Sequence, residues 1–204
     1  MRILAAADFH EDENLLEAVI EEANSGSYDV LIAPGDFVTP DDFERVRDET
    51  EIPSIACTGN WDFNFEPPGN DEYEDLYNYA QIDFGKDIKI GLIGAVFPDD
   101  FVDEMIEWAD GIDNRKLLYM SHYPPERLGD ATVSGNRAGF AGFRELILKT
   151  KPAAWFCGHI HESFGQYHLM KTEVFNCATI ESRKAFAVEL GDDGVESADE
   201  VDLE

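Results

Sequence analysis

Basic residues are scarce in this chain. Lysine and arginine number 15 against 44 aspartates and glutamates, a formal net charge of −29, and the pI is near 4.2. Such a surface repels nucleic acid and anionic membrane, and no basic stripe is present to recruit either. Cysteine is scarce too. Cys57, Cys157 and Cys177 are an odd number, widely spaced in apolar surroundings. That argues against a disulfide framework and for buried free thiols. No apolar run approaches the roughly 20 residues that cross a bilayer. The segment from Met1 to Ala7 runs straight into Asp8 and is shorter than a signal peptide, so the expected location is cytoplasmic. Gly-x-Ser-x-Gly and P-loop motifs are also missing, which leaves serine hydrolase and P-loop NTPase readings without support.

Apolar residues are not lacking. They make up 44% of the 204 positions, with 14 phenylalanines, enough for one sizeable core. The acidic excess is spread from Glu11 to Glu204 rather than held in one tail. This distribution points to a halophilic protein, because a Debye length of about 3 Å at 1 M salt screens the self-repulsion.

Short apolar runs alternate with helical patterns. Arg2 to Ala7 predicts a strand covered on both faces. Asn14 to Ala23 carries Leu15, Leu16, Val19, Ile20 and Ala23 at helical spacing. Tyr28 to Ala33 and Ile52 to Thr58 predict two more strands, with a short helix over Asp41 to Asp48 between them. Phe63 to Asp71 is a loop of lid or substrate-wall type, and Asp75 to Ala80 predicts a helical turn. Ile88 to Val96 is a strand opening a second sheet. Helices follow at Phe101 to Ala109 and Phe140 to Lys149, and strands at Lys116 to Met120 and Ala153 to Cys157. Short β-type runs lie at Ser163 to Tyr167, Glu173 to Cys177 and Ala185 to Leu190. The expected organisation is one domain over residues 1–190 and an acidic, disordered tail over 191–204.

Strand after strand ends in a polar cluster, the place where α/β sheets build their sites. The clusters are Asp8 and His10, Asp36, Asn60 with Asp62, His122, and His159 with His161. Four of the five histidines fall there; His168 reads as an ordinary surface residue. Imidazole with carboxylate suits Mn, Fe, Zn, Co or Ni better than calcium or an all-oxygen magnesium site. Two such ions need about eight ligand positions. Two Asp, one Asn and four His supply seven side chains, so one Asp must bridge.

The ordered set Asp-x-His, Gly-Asp, Gly-Asn-x-Asp, His and Gly-His-x-His resembles the calcineurin-like metallophosphoesterase superfamily. The resemblance runs from Arg2 to about Leu190. In motif style it is nearest to archaeal and bacterial proteins related to the Icc-type cyclic-nucleotide phosphodiesterases. It implies an α/β fold, a four-layer α/β/β/α sandwich of two mixed sheets flanked by helices. It implies two divalent metal ions, manganese foremost. Asp8, His10 and His161 would hold the first ion, Asn60, His122 and His159 the second, and Asp36 would bridge. Asn60, His122 and Asp62 are the candidate catalytic residues. Two cations about 4 Å apart would turn a shared water into hydroxide that attacks a small phosphoester.

One position departs from the pattern. The family form Gly-Asn-His-Asp is here Gly59-Asn60-Trp61-Asp62. An indole N–H has no accessible pKa and cannot replace an acid histidine. That favours phosphodiesters with good leaving groups over alkyl monoesters. Trp61 is a candidate for stacking on substrate, or a filler beside the Asn60 turn. Arg137, in a glycine-containing loop, is a candidate phosphate contact or a plain surface arginine. Phe63, Phe65, Tyr73 and Tyr123 are candidate wall residues. Two other readings remain: a non-catalytic protein scaffold, as in a retromer-coat relative with a degraded metal site, and a DNA-processing nuclease. Intact ligand positions count against the first and the acidic surface against the second. Oligomeric state stays open.

Overall fold

A computed structural model describes residues 1–62, 76–85 and 87–203. The first half of the chain runs β1 (Arg2–Ala5), α1 (Glu13–Ala23), β2 (Val30–Ala33), α2 (Pro40–Glu49), β3 (Ser54–Cys57), β4 (Leu76–Tyr77), β5 (Tyr79–Phe84) and β6 (Ile88–Ile93). The second runs α3 (Phe101–Ala109), β7 (Leu117–Ser121), α4 (Ala141–Thr150), β8 (Ala154–Cys157), β9 (Gly165–Leu169), β10 (Thr172–Asn176), α5 (Thr179–Ser182), β11 (Lys184–Gly191) and β12 (Gly194–Asp202). Two six-stranded sheets result, ordered β12-β11-β1-β2-β3-β4 and β5-β6-β7-β8-β10-β9. Both are mixed. β1, β2, β3 and β4 are parallel, with β11 antiparallel to β1. β6, β7, β8 and β10 are parallel, with β5 and β9 as antiparallel edges.

Alternation along each strand makes four layers. Ile3, Ala5, Val30 and Ile32 point inward and meet Leu92, Leu118, Met120 and Phe156 of the other sheet. Leu4, Leu31 and Ala33 point outward beneath Leu15, Leu16 and Val19 of α1 and Phe43 and Val46 of α2. On the far side Tyr119 and Trp155 lie under Met105 of α3 and Phe143, Leu146 and Ile147 of α4. The central strands are therefore almost wholly apolar, because both faces are covered. Local signals set the helix starts. Asp12 accepts from the Leu15 N–H at 3.0 Å. Thr39 accepts from Asp42 at 3.1 Å, with Pro40 in the first turn.

Two expectations are corrected. The acidic tail is not disordered: residues 194–202 form β12, which extends sheet one beside β11. Its apolar residues pack inward, Val195 and Ala198 toward the inter-sheet core and Val201 and Leu203 toward the helical layer. Their mostly three-residue spacing hid the strand, and the acidic residues between them suit an exposed edge. Lys184 ties the register through Glu200 at 2.7 Å. The helical turn expected over 75–80 is also replaced: the described residues there belong to β4 and β5. The wall loop and its residues Phe63, Phe65 and Tyr73 lie outside the described residues.

Candidate metal centre

Parallel pairing brings the carboxyl ends of β1, β2 and β3 to one edge, and those of β7 and β8 to the matching edge of the second sheet. The polar clusters just beyond those ends therefore converge. Backbone hydrogen bonds lock them together. Asp8 N donates to Gly35 O at 3.0 Å, Phe9 N to Asp36 O at 3.0 Å, and Gly158 N to His122 O at 2.9 Å.

Four of the expected ligands adopt left-handed backbone: Asp8 (φ 61°), His10 (50°), Asp36 (61°) and His159 (71°). Each non-glycine residue held there costs roughly 1–3 kcal/mol. The cost is met by contacts that over-determine each turn. The glycines of the motifs serve the same packing. A Cβ at Gly59 would overlap the Asp36 carboxylate, and one at Gly158 the Asp8 carboxylate.

Two groups of donors result: Asp8, His10 and His161, and Asp36, His122 and His159. In the first, His10 Nε2 lies 3.1 Å from His161 Nε2. Asp8 Oδ1 is 3.4 Å from His161 Nε2 and 3.9 Å from His10 Nε2. In the second, His122 Nε2 lies 2.8 Å from Asn60 Oδ1. Asp36 links the groups: its Oδ2 is 3.5 Å from both His10 Nε2 and His122 Nε2.

This donor set fits metal. His122 Nδ1–H donates to the Pro34 carbonyl at 2.8 Å. That tautomer turns the Nε2 lone pair toward Asn60 Oδ1, two acceptors face to face, which a cation between them would resolve. Donor separations of about 3–4 Å are those that bonds of about 2.1 Å to a shared ion produce.

The electrostatics agree. Burial lowers the His159 pKa to about 4, so the ring is neutral and one of its nitrogens carries a free lone pair. Burial also lowers His10, against the pull of Asp8. The hydrogen bond to Asp8 outweighs burial at His161 and raises it. Burial pushes Asp8 up, but lowering interactions, the His161 hydrogen bond foremost, outweigh it and hold it below its usual range. Asp36 is raised to about 6, first by burial and further by the Asp8 charge. Crowded carboxylates of this kind favour an added cation.

The other expected site residues take different places. Asp62 is buried, and both its oxygens accept from backbone: Asp36 N (2.9 Å), Val38 N (2.8 Å) and Gly59 N (2.6 Å). Burial raises its pKa while these three donors oppose the shift. Trp61 is 51% exposed and its ring stands edge-on to His10 at 5.8 Å. Tyr123 stands edge-on to His159 at 4.7 Å. Arg137 does not reach into the donor groups: its Nη1 pairs with Asp130 at 2.7 Å. Asp130, a fully buried carboxylate absent from the expected set, also accepts from Arg127 N and Gly139 N and thereby organises the loop. A Gly-Asp pair seven residues before the arginine was the available signal. All three cysteines are buried and unbridged. No helix among the described residues is long and apolar enough to cross a membrane.

A two-sheet sandwich with two imidazole–carboxylate groups at its strand ends defines a class of metal-dependent phosphoester enzymes. Residues 1–185 match the calcineurin-like phosphoesterase superfamily domain, and the chain belongs to that superfamily. No curated protein sequence matches the chain. Among solved structures it is similar to a dimetal phosphatase from Danio rerio, at 12% identity over 100% of this chain and 99% of that one, TM-score 0.66. It is similar to an archaeal phosphodiesterase at 16% identity over 98% and 99%, TM-score 0.56. It is also similar to vacuolar protein sorting 29 from Cryptosporidium parvum, at 11% identity over 98% and 97%, TM-score 0.54. At these identities the likeness is one of fold.

Proposed function

We propose that this protein is a dinuclear-metal phosphoesterase that prefers phosphodiesters. The observation that carries the reading is Asp36 Oδ2, equidistant at 3.5 Å from His10 and His122, one in each donor group. Asp8, His10 and His161 would hold one ion and Asn60, His122 and His159 the other, with Asp36 shared between them. Manganese is the first choice, with Fe, Zn, Co or Ni as alternatives. The ions supply an activated water and offset phosphoryl charge.

The protein's own residues orient these parts. Pro34 sets the His122 tautomer, and Asp62 holds the Asp36 and Gly59 turns together, a positioning role rather than a catalytic one. Trp61 occupies the place of the family's acid and cannot protonate a leaving group. Diesters with stable leaving groups lose least from that absence.

The scaffold reading leaves the convergence of seven ligand side chains without a purpose. The nuclease reading meets a surface of net charge −29. We read that surface as adaptation of a cytoplasmic protein to molar salt. The test is to strip the protein, add each metal in turn, and assay aryl phosphates, phosphodiesters and nucleotides. Metal-dependent cleavage of bis-aryl phosphodiesters is expected. Failure on every substrate with every metal would return the scaffold reading.

A further inference from the structure

Both donor groups have an aromatic flank. Trp61 stands edge-on to His10 at 5.8 Å. Tyr123 stands edge-on to His159 at 4.7 Å and to His122 at 5.2 Å. Phe140 packs on Tyr123 at 5.2 Å and is 39% exposed. Exposed aromatic rings beside the centre are unexpected in so acidic a surface, unless something covers them in use.

Both flanks are held through their backbone. The Trp61 backbone is pinned by its N–H to Asp36 Oδ1 at 2.8 Å. Phe140 N donates to Pro124 O at 2.9 Å and Phe140 O accepts from Glu126 N at 3.0 Å. Behind it, Phe143 stacks at 5.3 Å and leads to Trp155 in the core. Arg137, the cation that sequence pointed to, is engaged by Asp130. Among the described residues, the ring faces of Trp61, Tyr123 and Phe140 are the surface beside the donor groups that could add binding strength.

We infer that the substrate is a phosphodiester with a planar, aromatic or nucleobase substituent on each of its two ester oxygens, one lying against Trp61 and the other against Phe140 and Tyr123. This rests on the phosphodiesterase reading and goes beyond it. A monoester, or a diester with one alkyl group, fills only one flank. Two flanks receive two substituents, so the fitting ligand is short, on the scale of a dinucleotide. In the reaction the oxygen of water bonds to phosphorus and the bond from phosphorus to one substituent's oxygen breaks. Water's two protons pass to the solvent and the leaving group according to its basicity.

The experiment compares bis(p-nitrophenyl) phosphate with methyl p-nitrophenyl phosphate, which share a leaving group and differ in the second substituent. Metal-loaded full chain, Trp61→Ala and Phe140→Ala are assayed, with Phe140→Leu to keep the apolar packing while removing the ring. Each ring variant should lower kcat/KM on the bis-aryl ester roughly 10-fold, the scale of one stacking contact. The methyl ester should be markedly more sensitive to one variant than to the other. Equal losses on both esters in every variant, or no loss in any, would overturn the inference while leaving phosphoesterase activity standing. If wild type hydrolyses nothing, the phosphodiesterase reading falls first. Calorimetric binding of a dinucleoside monophosphate against a mononucleotide methyl ester then decides: equal affinities overturn the two-flank inference, and tighter dinucleotide binding, lost in both ring variants, supports it.

Discussion

The backbone N–H of Trp61 donates to Asp36 Oδ1 at 2.8 Å, while Asp36 Oδ2 faces His10 and His122. The residue that departs from the family pattern is thus fastened, through its main chain, to the carboxylate that lies between the two donor groups. Its side chain is free to change without losing that bond.

Trp61→His should therefore fold and restore a general acid. A positioned acid is worth about 10²- to 10⁴-fold for a poor leaving group and little for p-nitrophenolate. The mutant should gain most on alkyl phosphoesters. The check is kcat/KM across esters of graded leaving-group pKa, with a steeper dependence in wild type than in mutant. Parallel slopes would show that another residue supplies the proton.

Asp36→Asn should weaken both metal positions, because one carboxylate serves each. His10→Ala should weaken mainly one. Elemental analysis and metal titration by calorimetry of the two variants read this directly. One ion retained by Asp36→Asn and none by His10→Ala would reverse the assignment.

Asp62→Ala leaves three buried backbone N–H groups without their acceptor. The loss should be at least roughly 1–3 kcal/mol, the cost of one unsatisfied buried donor. Asp62→Asn keeps one carbonyl oxygen and should lose less. Urea unfolding of the metal-free protein separates the two, and equal stability of all three proteins would remove Asp62 from its positioning role.

Deleting residues 192–204 should lower the melting temperature rather than leave it unchanged. The deletion removes β12 and exposes the edge of β11. In a domain of this size each kcal/mol corresponds to about 2–4 °C. Thermal unfolding of the truncated chain tests it, and an unchanged midpoint would show that β12 adds nothing.

Added KCl should stabilise the protein into the molar range, since 44 acidic groups oppose only 15 basic ones. The Debye length shrinks to about 3 Å at 1 M. A melting temperature that is flat or falls between dilute buffer and molar KCl would contradict this.

Strands β1, β2, β3, β7 and β8 and the helices packed on them were legible along the chain. Each is a run whose burial on one or both faces is written in its own residues. The polar clusters were legible too, because each sits just past a strand end and parallel pairing sends all such ends to one edge. The left-handed backbone at Asp8, His10, Asp36 and His159 was not, since it is enforced by bonds between distant turns, such as His159 N to Asp8 at 2.9 Å. Arg137 could not be paired with Asp130 from spacing alone, and Phe140 read as a helix residue until its ring was seen against Tyr123. The edge strands β5 and β12 lacked a clear pattern of their own. Their pairing comes from a neighbour's open backbone groups, which only the assembled sheet presents. The sequence by itself determined which side chains could hold metal and at which strand ends they stand. Only the tertiary structure decided how close these donors stand, that Asp36 reaches toward both groups, and which aromatic rings flank them. Those are contacts between segments far apart in the chain, and local periodicity carries no record of them.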